Sequence, residues 1–408
     1  MAIMPLFTGS HKETFHLGIA IGTGSVNAIL YSIGKEAKPR IQKTVMRPHS
    51  VMPQPDFKVL EQFVKHELGE VKKSFADMLK GVRIEGVHVL LSSPWYFSQT
   101  RIVHIRRDEP FMAEPAFLKE SIHEEKDRFI QDARKQFSFP AEEYAIIEMS
   151  FMKILMNGYE LNDFLGKKAH EVSLDMYMSL SLKQFIDHLT HVLETHFSPA
   201  DILWYTSPFI FFRTLKQFWK ENHGASEFDI DSGVLAVEVG GEITDVTIIR
   251  KGIIEETFSF GKGLHFIIRR LASSLHVAPK DAIAFFDAWT QDKVATDKKQ
   301  KIASVVKAGL QEWQTLLARV LADASSRALL PRRIAFLGEG ARYDGFAKAF
   351  SSPPFMEYVL QNKPFEVTLL TPAFFRSAFN GPASSFIGGE ETALLYMLAL
   401  PVEFNRLD

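Results

Sequence analysis

The sequence predicts a two-lobed α/β protein interrupted by a small α+β insert, and three observations carry that expectation. An apolar run of strand type at residues 17–30 (LGIAIGTGSVNAIL) breaks at glycines beside Thr and Ser, then resumes as a second apolar run. The same texture returns at residues 235–250 (LAVEVGGEITDVTIIR), so the chain carries two similar hairpins, one for each lobe. Between them, over residues 98–197, alternating strands and charged helices replace the glycine-broken pattern. Glycines at such turns let backbone N–H groups approach a ligand, and hydroxyls beside them add hydrogen bonds. Each hairpin can therefore cradle a phosphate, and the pair can face one ligand.

Composition bounds the rest. With 408 residues, 46% hydrophobic and 24% charged, the chain is globular and long enough for two or more domains. Lys+Arg 47 against Asp+Glu 49 leave a formal charge of −2, which supplies no general pull toward nucleic acid. The absence of cysteine excludes disulfides, thiolate catalysis and cysteine zinc sites, and fits a reducing compartment. No apolar stretch approaches the roughly 20 residues that span a bilayer. The apolar tip at residues 1–7 is too short for a signal peptide, so the expectation is a cytoplasmic chain without a transmembrane segment. That tip reads either as a disordered or docked end or as a contact for a partner or membrane. Nothing after the apolar helix at 393–400 has the character of a basic amphipathic helix that lies on a membrane.

Taken in order, the first hairpin is followed by a third strand at 41–45 and by Pro48, Pro53 and Pro55. Leu60, Val64, Leu68, Val71, Phe75 and Leu79 recur at three and four residues and predict an amphipathic helix. A buried strand at 87–91 ends at Ser92-Ser93-Pro94, and strands, helix and strand together suit a mixed sheet. In the insert, TRIVHIR at 100–106 alternates as a half-exposed strand should, 116–137 is a charged helix, 144–155 and 171–179 are strands, and 188–197 is a helix. The second half predicts a strand at 201–205, a Phe-rich helix through Phe218, the second hairpin and a helix at 264–275 after Gly261-Lys262-Gly263. A packed helix at 302–321 carries Val306, Leu310, Trp313, Leu317 and Val320 on one stripe, and a strand at 334–337 breaks at GEGARYDG before a helix near 346–350. The expected division is residues 1–97 for the first part of lobe 1, 98–197 for the insert, and 198–408 for the remainder of lobe 1 and lobe 2.

A strand, glycine turn and helix arriving late, after two glycine-broken hairpins, is the order of the actin-like ATPase superfamily. The chain resembles the bacterial branch that contains the cell-division protein FtsA and the type IV pilus assembly protein PilM. IAIGTGSVNAIL matches the first phosphate loop, VEVGGEITDVTII the second and IAFLGEGARYDGF the adenosine loop. KGIIEETFSFGKGLHFIIRRLA follows the second loop as in the family, and the insert resembles its SHS2 module, the 1C subdomain. The resemblance implies a two-lobed actin-like (ribonuclease H-like) fold and a cleft for ATP or ADP with magnesium. In that cleft Gly22, Thr23, Gly24, Ser25 and Asn27 would line one phosphate side, Gly240, Gly241 and Thr244 the other, and Gly338 and Gly340 the adenosine side. Glu238 and Asp245 would be the carboxylates for magnesium and the candidates for any catalytic role.

The departures from the family bear on chemistry. Where its first loop reads Asp-x-Gly-Thr, this chain reads Ala20-Ile21-Gly22-Thr23, without the carboxylate that orders magnesium and its waters, and a Lys usual shortly afterwards is Asn27. Asp-x-Gly-Gly-Gly-Thr-Thr-Asp has become Glu238-Val239-Gly240-Gly241-Glu242-Ile243-Thr244-Asp245. Glu242 thereby replaces a glycine and is expected to set negative charge beside an anion, which is unfavourable without a bridging cation. Glu339 sits between Gly338 and Gly340 where the family has glycine, and an Ala-Glu-x-x-Lys pattern is matched by Ala282-Ile283-Ala284-Phe285-Phe286. The helix after Tyr205-Thr206-Ser207 offers no Glu or Gln near its start to position a water. Phosphoryl transfer rests on metal charge and water positioning, so the expectation is no hydrolysis or very slow hydrolysis. Three readings of the cleft stay open: turns kept for folding, nucleotide binding with little turnover, and a competent ATPase.

Two weaker constellations complete the reading. His188 and His191, with Glu194 and His196, stand at metal-site spacing on one predicted helix, against the plainer reading of half-buried or solvent-facing histidines. Trp95, Tyr96 and Phe97 precede Arg101, Arg106 and Arg107; the cluster is either a solvated strand face over core aromatics or a groove for a partner peptide. The 35 Phe against 9 Tyr leave room for apolar contact surfaces. FtsA-like proteins associate into filaments and tether a tubulin-like partner to the membrane. PilM-like proteins bind the cytoplasmic tail of a membrane partner through the region around the SHS2 module. The resemblance implies a cytoplasmic scaffold peripheral to the inner membrane, acting in division by self-association and partner recruitment. Pilus assembly is the alternative, and an active ATPase of the superfamily a third.

Overall fold

A computed structural model describes residues 13–34, 38–137, 143–161, 165–221, 232–351, 353–359, 362–382, 386 and 388–400. The apolar tip at residues 1–7 and the chain end at 401–408 lie outside them. Lobe 1 begins with three antiparallel strands, β1 (Thr14–Ile21), β2 (Ser25–Ile33) and β3 (Pro39–Pro48), followed by helix α1 (Phe57–Phe75) and strand β4 (Ile84–Leu91), which runs parallel to β1. The insert follows as β5 (Phe97–Met112), α2 (Pro115–Phe137), β6 (Tyr144–Met156), β7 (Tyr159–Glu160) and β8 (Lys168–Leu182). The chain returns through α3 (Lys183–Phe197), β9 (Asp201–Thr206) and α4 (Ser207–Glu221).

Lobe 2 repeats the plan. Strands β10 (Val234–Val239), β11 (Thr244–Arg250) and β12 (Ile253–Phe260) are antiparallel, and helices α5 (Leu264–Leu275), α6 (Pro279–Thr290) and α7 (Thr296–Ser325) lead to parallel strand β13 (Arg333–Leu337). Short helices α8 (Asp344–Ala349) and α9 (Pro353–Met356) and strand β14 (Glu366–Leu369) complete it, and helix α10 (Ala393–Ala399) returns to pack on β1, β2 and α4 of lobe 1. The sheet orders, β3-β2-β1-β4-β9 and β12-β11-β10-β13-β14, correspond strand for strand. The two lobes are therefore one design used twice, as the paired hairpins predict. Even the turns agree: Gly22 donates its N–H to the Ser25 carbonyl at 3.0 Å and Gly240 to that of Ile243 at 2.9 Å.

Local sequence accounts for the elements. The side chain of Asp56 accepts the N–H groups of Lys58 and Val59 and starts α1, a cap worth about 1 kcal/mol. Leu60, Val64, Leu68, Val71 and Phe75 form its buried stripe. That stripe meets Phe185, Leu189, Leu193 and Phe197 of α3, so α3, which the expected insert at 98–197 includes, packs with lobe 1 instead. The insert keeps its own core, where Phe129 and Ala133 of α2 cover Val103, Val172 and Leu174 of the sheet β5-β8-β6-β7. A further core lies between the lobes. Phe209, Phe212 and Leu215 of α4 and Leu395 and Leu398 of α10 join Ile29 and Leu90 of lobe 1 to Ala236 and Leu337 of lobe 2. Strand β12, which carries Glu255 and Glu256 side by side, is one that apolar alternation does not announce.

Candidate functional site: the interlobe cleft and the adjoining groove

The two glycine turns meet in the cleft between the lobes. A Cβ on Gly241 would stand 2.6 Å from the Cα of Gly24, so this approach requires glycine. Thr23 Oγ1 accepts the N–H of Glu242 at 2.9 Å, and His49 donates its N–H to the Gly24 carbonyl at 2.7 Å. On the lobe 2 side, the first N–H groups of α5, from Leu264 and His265, bond the carbonyls of Gly240 and Gly241 at 3.0 and 2.7 Å. Donors at a helix N-terminus are what a phosphate binds, and here the loop itself takes them.

The third loop closes the cleft. Gly338, at φ +98°, turns beneath the Val239 carbonyl, which a Cβ would meet at 2.6 Å, and Gly340 packs on the Val239 side chain. The residue between them, Glu339, reaches across to lobe 1, where Ser25 donates its hydroxyl to Oε1 at 2.6 Å. A Cβ on Gly24 would overlap the same carboxylate. Glu339 Oε2 is enclosed without a partner, and burial pushes this carboxyl's pKa up. Asn27 donates Nδ2 to Ser25 Oγ at 3.0 Å and to the Glu391 carbonyl at 3.3 Å, leaving its buried Oδ1 unpaired.

Glu238 and Asp245 face each other across the β10–β11 ladder, so their carboxyls share one side of the sheet. Ser92 donates its hydroxyl to Glu238 Oε1 at 2.7 Å, Glu238 Oε2 has no partner, and Ser259 donates to Asp245. Burial, and after it the charge of Asp245, pushes Glu238 up to about 8. Burial pushes Asp245 up to about 6 despite hydrogen bonds from Ser259 and Ser93. Among the described residues no cationic side chain bonds either carboxyl, and no group of three or more His, Cys, Asp or Glu is arranged to hold a metal ion.

Residues expected to face a ligand are engaged within the protein. Glu242 does not set its charge beside an anion: its carboxylate receives both Nη atoms of Arg269 at 2.7 Å and lies 3.1 Å from His265 Nδ1. Burial alone would raise its pKa, and the bonds from His265 and Arg269 outweigh burial and hold it low. The bridging cation is thus a side chain of α5. Thr244 is committed within lobe 2, donating its hydroxyl to the Lys262 carbonyl at 2.8 Å and accepting from Trp313 Nε1 at 2.9 Å. On α3, His188 lies 3.5 Å from Glu61 of α1, and His196 lies against Gly69.

What remains open in the cleft is about 30 Å³, bounded by Ala20, Ser25, Ser92, Glu238, Asp245 and Glu339. That is room for about one or two waters. A nucleotide would have to displace Glu339, release the hydroxyls of Thr23 and Ser25, and bring its phosphates against three buried carboxyls. In this arrangement the residues do not fit a magnesium nucleotide.

A larger opening lies on the far side of Ser92 and Ser93. Pro94, Trp95, Tyr96 and Phe97, with Phe57 of α1 and Phe185 of α3, line a groove of about 610 Å³. Trp95 stacks on Phe185 with ring centres 4.6 Å apart, and Phe57 is 46% exposed. The aromatic and basic cluster of the sequence is therefore split. Its aromatics line the groove, whereas Arg101 pairs with Asp132 at 2.7 Å over the Phe129 ring, Arg107 lies over Phe111, and Arg106 is exposed.

Two corresponding five-stranded sheets, three glycine loops meeting between them and an α+β insert after β4 define an actin-like ATPase fold. Among solved structures, the chain is similar to a PilM–PilN type IV pilus biogenesis complex, with a TM-score of 0.60 and 16% identity over 94% of this chain and 97% of that one. The ethanolamine utilization protein EutJ from Carboxydothermus hydrogenoformans matches with a TM-score of 0.47 and 11% identity over 96% of this chain and 91% of that one. MreB5 of Spiroplasma citri bound to ADP matches with a TM-score of 0.40 and 11% identity, over 94% of each chain. No protein-family model and no curated protein matches the sequence. At these identities the likeness is one of fold.

Proposed function

We propose that this protein is a scaffold that holds a segment of a protein partner in the groove between α1, α3 and the insert, with a degenerate nucleotide site beside it. The observation that supports this reading is a contrast: the aromatic groove offers about 610 Å³ while the cleft retains about 30 Å³. Large aromatic side chains are the usual anchors of protein interfaces, and the groove is of a size that encloses bound side chains. The resemblance to PilM-like proteins gives the class of partner, the cytoplasmic tail of a membrane-anchored assembly protein. Among the described residues no helix is long and apolar enough to cross a membrane. The likeness to the PilM–PilN complex, with a TM-score of 0.60, supports the pilus branch.

The test is a peptide array of the terminal segments of the organism's single-span membrane proteins, probed with the full-length protein and with Phe57→Ala. The expected result is a small set of binders that the variant loses. No binder, or binders indifferent to Phe57, would overturn the reading.

One observation favours a second reading, FtsA-like self-association in cell division. Ile102 is 61% exposed on β5, which is an edge strand of the insert's sheet, and exposed apolar edges invite pairing with another chain. Sedimentation velocity decides it: concentration-dependent association abolished by Ile102→Lys would support this reading, and a monomer at all concentrations would exclude it.

A further inference from the structure

The groove and the cleft are the two sides of one short segment. Ser92 and Ser93 border the cleft, and Pro94 onwards borders the groove. Each end of the segment is tied to a different body. On the cleft side, Ser92 donates its N–H to the Ile21 carbonyl of lobe 1 at 3.0 Å and its hydroxyl to Glu238 of lobe 2 at 2.7 Å, with Ser207 Oγ at 2.8 Å. Ser93 Oγ lies 3.4 Å from Ser259 Oγ, whose hydrogen bond goes to Asp245. On the groove side, Trp95 donates its N–H to the Ser92 carbonyl at 3.2 Å, accepts the Ser181 hydroxyl on its own carbonyl at 2.6 Å, and stacks on Phe185.

A second tie runs in parallel. Thr206, next in chain to Ser207, donates its hydroxyl to Glu148 of the insert at 2.5 Å and shares a bond with Tyr177 at 2.7 Å. The insert also touches lobe 2 directly, through the Thr100 hydroxyl on the Ile254 carbonyl. A movement of lobe 2 that breaks Ser92 from Glu238 therefore displaces the residue whose carbonyl holds Trp95.

Resting on the partner-groove reading above, we propose that the groove is assembled by closure of the cleft. The Ser92–Trp95 turn transmits the position of lobe 2 to the aromatic wall, and a partner segment seated there holds the lobes closed. Coupling between two sites is reciprocal, so a disturbance introduced at either end must appear at the other.

Hydrogen–deuterium exchange read by mass spectrometry on the full-length protein tests this without any ligand. Ser92→Ala removes one hydroxyl on the cleft side; residues 94–97 and 180–185 are expected to exchange roughly five- to tenfold faster, the lower range of site-to-site coupling. Trp95→Phe, on the groove side, is expected to speed exchange at residues 22–25 and 240–245 by a similar factor. Helices α6 and α7, on the far side of lobe 2, stay unchanged in both, and Ser92→Thr, which keeps the hydroxyl, behaves as the wild type. An effect confined to the mutated side, or one spread evenly over the chain, overturns the proposal. Because no partner enters the experiment, this coupling can fail while the groove still binds a peptide, and an array without binders leaves the coupling result standing.

Discussion

Ser25 and Glu339, 314 residues apart in sequence, share a hydrogen bond of 2.6 Å that joins the first loop of lobe 1 to the third loop of lobe 2. A carboxylate thus stands on the hydroxyl and glycine turn that would otherwise receive a phosphate. The chain fills its own cleft.

Removing that carboxylate reopens the cleft. Glu339→Ala is expected to gain a thermal shift with Mg-ADP that the wild type lacks, worth about 1.4 kcal/mol when nucleotide is at ten times its Kd. Differential scanning fluorimetry with and without nucleotide checks it; an equal response from both proteins rejects the role given to Glu339.

Stability should fall as pH rises above neutrality. The Glu238 carboxyl, ordinarily at 4.5, is pushed up to about 8 by burial and then by the charge of Asp245. It binds its proton more tightly folded than unfolded, so its contribution is fully present below about 4.5 and is lost as pH rises through about 8. Asp245 behaves alike but has finished by about 6, while His49, pushed down to about 4 by burial, acts oppositely and only below 6.5. Between pH 6.5 and 8 Glu238 dominates this group, with a slope of up to about 1.4 kcal/mol per pH unit. Urea denaturation across that range should show the decline, and Glu238→Gln should flatten it.

The Glu242–Arg269 pair is a lock within lobe 2. Arg269→Ala leaves a buried carboxylate without its bidentate partner and is expected to cost about 3–5 kcal/mol, whereas Glu242→Ala with Arg269→Ala should recover much of that. A double-mutant cycle in urea measures the difference, and additive losses would show that the pair is not coupled.

Phe57 separates binding from folding. At 46% exposure on the first turn of α1 it contributes little to the core, so Phe57→Ala should change stability by no more than about 0.5 kcal/mol. As an anchor in the groove its loss should weaken partner binding by about 2 kcal/mol or more, roughly thirtyfold. Calorimetry with a peptide from the array gives the second number.

Much of the fold is legible in the sequence because it is written in local terms. The glycine-broken hairpins, the stripe of α1, the helix at 264–275 and the late strand–turn–helix each follow from spacing over a dozen residues, and the observed elements differ from the expected ones mainly at their ends. Helix α3 begins at Lys183, five residues before the expected start, because its stripe of Phe185, Leu189 and Leu193 has to be matched to α1 to be recognised. The site is less legible. Glu339 and Glu242 stand out as departures from glycine, yet their partners, Ser25 and Arg269, lie 314 and 27 residues away, and no periodicity links them. Trp95, Tyr96 and Phe97 read as an aromatic run, but their facing Phe57 and Phe185 across a groove depends on the packing of α1 against α3.

The protein's own side chains close the cleft, leaving about 30 Å³ between the loops of the two lobes. Isothermal titration of the purified wild-type protein with Mg-ATP to millimolar concentration tests this closure most directly. The expected result is no saturable heat; a one-to-one isotherm would show that the cleft admits nucleotide.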